Sequence, residues 1–237
     1  MTRWLARLTG DPFWLEEYAL WFPDGDAFVS MEGDDYYLAG PTLERLGDAA
    51  AIREQAQDIV DRMFVAASLM NESVSRPGVA LVVRIDEGGT KKVFATTTVT
   101  AVGRVKARGT AIIDGIPRPQ PSQDLARRLS RPVRDSRHLA TAVQLWADPI
   151  RTWSRLYVVL EELEAHLEKR VNAAGYSSAN ERERFTRSAN TAEVAGPDAR
   201  HGSGKSEPPA NPMTLPEATR FVAGCLRQAL LAHWRET

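Results

Sequence analysis

The sequence predicts an α+β protein: a small antiparallel sheet with one long helix, followed by an all-α half like a four-helix bundle. Three observations predict it. Short apolar and β-branched runs, separated by turn residues and interrupted by one helical stripe, fill the first part of the chain. Three prolines in alternation, in Gly115-Ile-Pro-Arg-Pro-Gln-Pro-Ser122, mark a stiff extended linker. Beyond it, apolar residues recur at spacings of three and four. The boundaries read as a sheet domain over 1–109, a linker over 110–123 and a helical domain over 124–237.

Each element has its own reason. Tyr18–Phe22, Ala27–Met31 and Tyr36–Ala39 are short apolar runs, parted by Pro23-Asp-Gly-Asp26 and Glu32-Gly-Asp-Asp35. They read as a small meander. Nine of the 18 aromatic residues precede residue 38, more than a flexible arm carries, so they should pack on the next helix. Asp48 is an N-cap for that helix, and Asn71 is a C-cap. Ile52, Ala56, Ile59, Met63, Ala67 and Met70 form its apolar stripe, with Arg53, Glu54, Asp58, Asp61 and Arg62 opposite. Val79–Ile85 and Lys92–Val99, joined by Asp86-Glu-Gly-Gly89, read as a hairpin. Thr98–Val105 reads as a third strand.

In the second half, 134–147 reads as a helix carrying Leu139, Val143, Leu145 and Trp146. Asp148-Pro149 reads as an N-cap with proline at the first helical position, opening a long helix to about Val171. Ser178-Ala-Asn-Glu181 is a capping box for a helix ending near Asn190. Ala195–Pro212 is a loop in which nine of 18 positions are Gly, Pro or Ser. Thr214-Leu-Pro-Glu217 is a second capping box, for a last helix to about Trp234.

Composition excludes several classes. At 43% hydrophobic and 26% charged, the chain is neither globally disordered nor fibrous. No run approaches the roughly 18 apolar residues of a membrane span, and the N-terminal stretch lacks a signal-peptide core, so a cytoplasmic protein is expected. The single Cys225 makes no internal disulfide. No metal site and no cofactor are expected: His, Cys, Asp and Glu do not cluster at ligand spacing, and no glycine pattern for nucleotides exists.

The net charge of −1 hides three blocks. Residues 1–70 carry 5 basic and 13 acidic residues, 71–160 carry 15 and 7, and 161–237 carry 10 and 11. The basic block is sharpest over 104–137, where Arg127, Arg128, Arg131 and Arg134 are candidates for phosphate contacts. That stretch holds no aromatic residue on which a base could stack. The plainer reading is a solvated face pairing with the acidic first block.

Arg184-Phe-Thr-Arg-Ser-Ala-Asn190 and Gly196-Pro-Asp-Ala-Arg-His-Gly202 form the most unusual segment. Arg200 can hold a phosphate or carboxylate bidentately, and His201 can move a proton near neutral pH. These two are the catalytic candidates, with Arg184, Arg187 and Asn190 beside them. The plainer reading is a polar loop ordered by packing. Cys225, mid-helix on an apolar face, reads as an inert thiol.

The residues Trp153-Ser-Arg-Leu-Tyr157, Arg184-Phe185, Ser188-Ala-Asn190, Gly196, Ala199-Arg-His-Gly202 and Pro212-Met-Thr-Leu215 resemble a family of two-domain bacterial proteins with no assigned activity. The helical half is similar to the HEPN superfamily, four-helix domains that include metal-independent ribonucleases as well as inert members. The HEPN motif is Arg, four to six residues, then His. Arg131 with His138 and Arg227 with His233 fit it, where composition alone gives about one match. The second pair lies about 240° apart around a helix axis, so its side chains do not share a face. His233 instead follows Val222, Leu226 and Leu230 and reads as a core or edge histidine. The resemblance implies a regulatory module that associates with a protein partner or a second copy through its helical half, or with RNA, in a stress or phage-defence setting. An Arg/His ribonuclease is the alternative.

Overall fold

The structure is a computed structural model that describes residues 2–95, 112–113, 116–117, 123–200 and 207–236. The fold is α+β, with a five-stranded antiparallel sheet followed by a helical part. Two compact units divide it, Met1–Ser130 and Arg131–Thr237.

The first unit is built on β1 (Arg3–Thr9), β2 (Phe28–Glu32), β3 (Asp35–Ala39), β4 (Gly78–Ile85) and β5 (Lys91–Ala95), in the order β2-β3-β1-β4-β5. The sequence predicts no strand over Arg3–Thr9, yet β1 is the central strand. It pairs Ala6 with Leu38 on one side and with Val82 on the other. Leu5, Ala39 and Val83 form a buried cluster across three strands. The expected hairpin is present as β4 and β5 as far as Ala95, and residues 96–99 of its expected second strand lie outside the described residues. The expected third strand, 98–105, lies outside the described residues. Of the linker, β6 (Ile112–Ile113) and β7 (Ile116–Pro117) pair as two short antiparallel strands.

The run Tyr18–Phe22 is not a strand. It closes α1 (Pro12–Trp21), which Asp11 caps by accepting from the Phe13 N–H at 3.0 Å, with Pro12 at the first helical position. Leu15, Tyr18, Trp21 and Phe22 are buried at spacings of three and four, a helical period that the continuous apolar run concealed. The early aromatics do pack, partly on each other: Tyr18 lies 5.8 Å from Trp21 and 6.2 Å from Phe22 between ring centres.

A short α2 (Pro41–Glu44) follows Gly40, whose φ is +128°. Then α3 (Ala49–Met70) has the expected caps: Asp48 accepts from the Ala51 N–H at 2.9 Å, and Asn71 ends it. Its stripe is buried through Ala67. From Met63 to Leu69 every residue is buried, so the second half is enclosed on all sides. It packs on β1, on β4 and on α4 (Gln123–Leu129). Ala126 and Leu129 of α4 are buried and its Gln123 side chain donates to the Leu20 carbonyl at 2.9 Å, so α4 belongs with the sheet unit. The helical unit starts at Arg131 rather than 124.

The second unit holds four main helices, α5 (Arg137–Trp146), α6 (Trp153–Leu167), α7 (Ala179–Asn190) and α9 (Leu215–Glu236), plus a short α8 (Ala192–Ala195) and a 3-10 turn, Gly196–Asp198. Asp148-Pro149 does not start α6. The Asp148 side chain accepts from the Ile150 N–H at 2.8 Å in a local turn, and Thr152 is the cap. The helix ends at Leu167 because Glu168 turns left-handed, φ +54°. The Ser178–Glu181 and Thr214–Glu217 capping boxes both form. Ala218, Val222, Cys225, Leu226, Ala229 and Leu230 are buried along α9, and Leu215 and Phe221 are half-buried. Phe185, fully buried, is ringed by Trp153, Tyr157 and Phe221 at 5.2–6.3 Å. Among the described residues no helix is long and apolar enough to cross a membrane.

Candidate functional site

The two arginines of α7 hold the chain, Arg184 through Nε and Nη2 and Arg187 through Nη2 alone. Arg184 donates from Nε to the Asn211 carbonyl at 2.6 Å, and from Nη2 to Pro212 O and Glu217 Oε1, both at 3.1 Å. Arg187 donates to the carbonyls of Glu207 and Pro208 at 3.3 and 3.2 Å. Between them Ser188, fully buried, accepts from the Met213 N–H at 2.9 Å. One helix face thus ties down the segment that leads into α9. The backbone N–H and hydroxyl of Thr214, with Arg184, hold the Glu217 carboxyl down at about 2. Asn190 Oδ1 is buried with no hydrogen-bond partner among the described residues.

Arg200 is also engaged. Its N–H donates to the Ala189 carbonyl at 3.2 Å, its Nη2 lies 2.9 Å from Glu161 Oε1, and its guanidinium sits 4.4 Å above the Tyr157 ring. Tyr157 in turn stacks on Phe185. His201 lies outside the described residues.

The basic candidates fall on both units. In the sheet unit Arg127 pairs with Asp24 at 2.6 Å, the local pairing with the acidic block that the plainer reading expects. Arg128 is exposed. In the helical unit Arg131 lies 4.1 Å over the Trp234 ring. Trp234 comes from the end of α9, so the fold supplies the aromatic that the basic stretch lacks in sequence. Arg134 and Arg137 are exposed, and their guanidinium groups make no ion pair among the described residues.

Around this point three of the four histidines gather. Ser136 is the N-cap of α5: its Oγ accepts from the Leu139 N–H at 3.2 Å and shares a 2.8 Å hydrogen bond with His166 Nδ1. His166 and His233 meet edge to face, ring centres 5.8 Å apart. His233 Nε2 lies 3.0 Å from Asp135 Oδ1. His138 Nδ1 lies 2.8 Å from Glu162 Oε2. Helix direction explains the meeting: the start of α5 and the ends of α6 and α9 share one end of the bundle.

Burial grades the cluster. The His233 side chain is 8% exposed and that of His138 is 52% exposed. The reading of His233 as a core or edge residue describes its burial but misses its neighbours. Arg227 is exposed, so it and His233 do not share a face, as their spacing requires. His166 was legible too: it stands three residues after Leu163 and seven after Val159, on the buried face of α6. The signal is an inward histidine in the last turn of two helices.

Two imidazoles in contact, one with a carboxylate beside it, can pass protons to and from a bound group. Exposed guanidinium groups next to them can hold phosphates. Among the described residues no group of three or more His, Cys, Asp or Glu side chains is placed to hold a metal ion. No family model, curated protein or solved structure matches this chain.

Proposed function

We propose that the helical unit is a nucleic-acid-associated interaction module, and that RNA meets it at the end of the bundle formed by Arg131, Arg134, Arg137 and the three histidines. The observation that carries the reading is convergence. Residues far apart in sequence bring cations, an aromatic ring and proton carriers to one end. Single-stranded RNA is bound through that combination of phosphate contacts and stacking. A regulatory or phage-defence role in a bacterial cell rests on the HEPN likeness alone.

Fluorescence anisotropy with a labelled single-stranded RNA tests it. Affinity should fall steeply with salt. Each phosphate contact on a single strand contributes about 0.7 to the slope of log K against log salt. An Arg134→Gln/Arg137→Gln variant should therefore lower the slope by about 1.4. No binding at low salt, or a slope unchanged in the variant, would remove RNA from the partners.

A second reading, RNA cleavage, is favoured by the His166–His233 contact beside Asp135. One histidine would take the 2′-hydroxyl proton and the other would protonate the leaving oxygen. Labelled RNA with a chelator present, beside an all-deoxy strand, is the assay. Cleavage of RNA alone, lost in His166→Gln and in His233→Gln with folding intact, supports it. Loss instead in an Arg200→Ala/His201→Ala double variant moves the chemistry to the 200–201 pair. Equal background in all variants ends the enzymatic reading.

A further inference from the structure

A separate cavity of about 240 Å³ lies between the turn after α6 and the side of α7. Arg170 and Asn172 line it from the turn, and Arg182, Glu183, Thr186 and Arg187 from the helix. Its walls are held firmly. Arg182 grips Glu164 with two bonds, at 2.5 and 2.6 Å. The same carboxylate accepts from the Val171 N–H at 3.1 Å, and the Val171 carbonyl accepts from Tyr176 at 2.9 Å. Val171 itself is fully buried. The two lining residues of the turn thus flank an anchored one, and their positions are set before any ligand arrives.

Charge selects the class of ligand. Three guanidinium groups stand against two carboxylates, Glu183 and Glu164. Arg182 is matched by Glu164. Arg187 meets Glu183 only at 3.9 Å, with both side chains exposed enough for water to screen them. Arg170 is exposed and makes no ion pair among the described residues. One positive charge is left over, and the excess excludes a cation. Size narrows the class further. The volume equals about eight waters at roughly 30 Å³ each, and lies below the roughly 300 Å³ at which pockets for drug-sized ligands begin. It admits a phosphate with a small substituent and not a dinucleotide.

We infer that this cavity is a binding site for a terminal phosphate, a phosphomonoester held by Arg170 and by the Nε and Nη1 of Arg187, whose Nη2 stays on the Glu207 and Pro208 carbonyls. None of its residues is used in the RNA reading above, and the 5′-hydroxyl oligonucleotide separates the two, because binding through the arginines and histidines of that reading does not depend on a terminal phosphate. The full chain is titrated calorimetrically with inorganic phosphate and with a nucleoside 5′-monophosphate. Two oligonucleotides, one 5′-phosphorylated and one 5′-hydroxyl, follow. Saturable one-site binding is expected. Arg170→Gln should weaken it about tenfold or more, since the variant removes a charge-assisted contact. Glu183→Gln should tighten it several-fold by removing the opposing carboxylate. Binding of the small phosphates points to a soluble ligand. Binding of the phosphorylated oligonucleotide alone points to a nucleic-acid end. Each supports the site if Arg170→Gln weakens it about tenfold or more in a protein with unchanged circular dichroism. No saturable binding of any probe, or equal affinity in Arg170→Gln and the parent protein, overturns the assignment.

Discussion

Arg184 is the sharpest test of whether the α7 arginines hold the fold or await a ligand. Replacing it with alanine removes the bonds to the Asn211 and Pro212 carbonyls together with the contact to Glu217. A hydrogen bond from a charged donor contributes roughly 1.5–3 kcal/mol when shielded from water. Asn211 and Pro212 are exposed, so water re-solvates their carbonyls when the arginine is gone. The discounted loss is about 1 kcal/mol for each carbonyl, about 2 kcal/mol together. For a unit of this size that corresponds to about 10 °C in Tm. Arg184→Lys keeps the charge but replaces the fork with a point donor, so it should recover about half the loss. The assay pairs thermal unfolding with amide hydrogen exchange, because the loss can appear as local opening of the segment before α9. Exchange should quicken first at Met213 and Thr214, whose N–H groups donate to Ser188 Oγ and Glu217 Oε2. A loss below about 0.5 kcal/mol with unchanged exchange at those amides would refute the reasoning. So would full rescue by lysine, since a bare positive charge would then suffice.

Other outcomes follow from the same contacts. The folded Glu217 carboxyl lies below its ordinary value near 4.5, so its support for the start of α9 is complete above that pH and drains away as pH falls toward about 2. Far-UV circular dichroism through that window should show fraying of α9 that is absent in Glu217→Gln, and identical curves would contradict the cap. Burial pushes the Cys225 thiol up to about 12, so the native protein should resist a thiol reagent at pH 8 and react fully in denaturant. Phe185→Ala should cost about 3–5 kcal/mol in chemical denaturation, because it opens a cavity among Trp153, Tyr157 and Phe221. Gly40→Ala would place a Cβ 2.5 Å from the Asp26 carbonyl oxygen at φ +128°, so it should destabilise the sheet unit by more than about 2 kcal/mol. A milder effect would mean that the Asp26 turn can move aside.

Local chemistry controls the features legible along one chain. The caps of α3, the capping boxes of α7 and α9, the β4–β5 hairpin and the inert placement of Cys225 depend on neighbours within a few residues, or on a helical period. Both can be read along a single chain. Two readings fail for different local reasons. A continuous apolar run carries no period, so Tyr18–Phe22 looked like a strand where it is the end of a helix, and Asp148-Pro149 made a turn where it could have made a cap. Only the tertiary structure decided what depends on distant partners. It inserted β1 between β3 and β4, where its inner faces could be buried on both sides. It spent Arg184 on two carbonyls and the Glu217 carboxylate, Arg200 on the Glu161 carboxylate, and the Nη2 of Arg187 on two further carbonyls. It also set Trp234 under Arg131 and closed His166 on His233. A residue's type fixes the contacts open to it, and packing chooses among them, because burial leaves each polar group few places to find a partner.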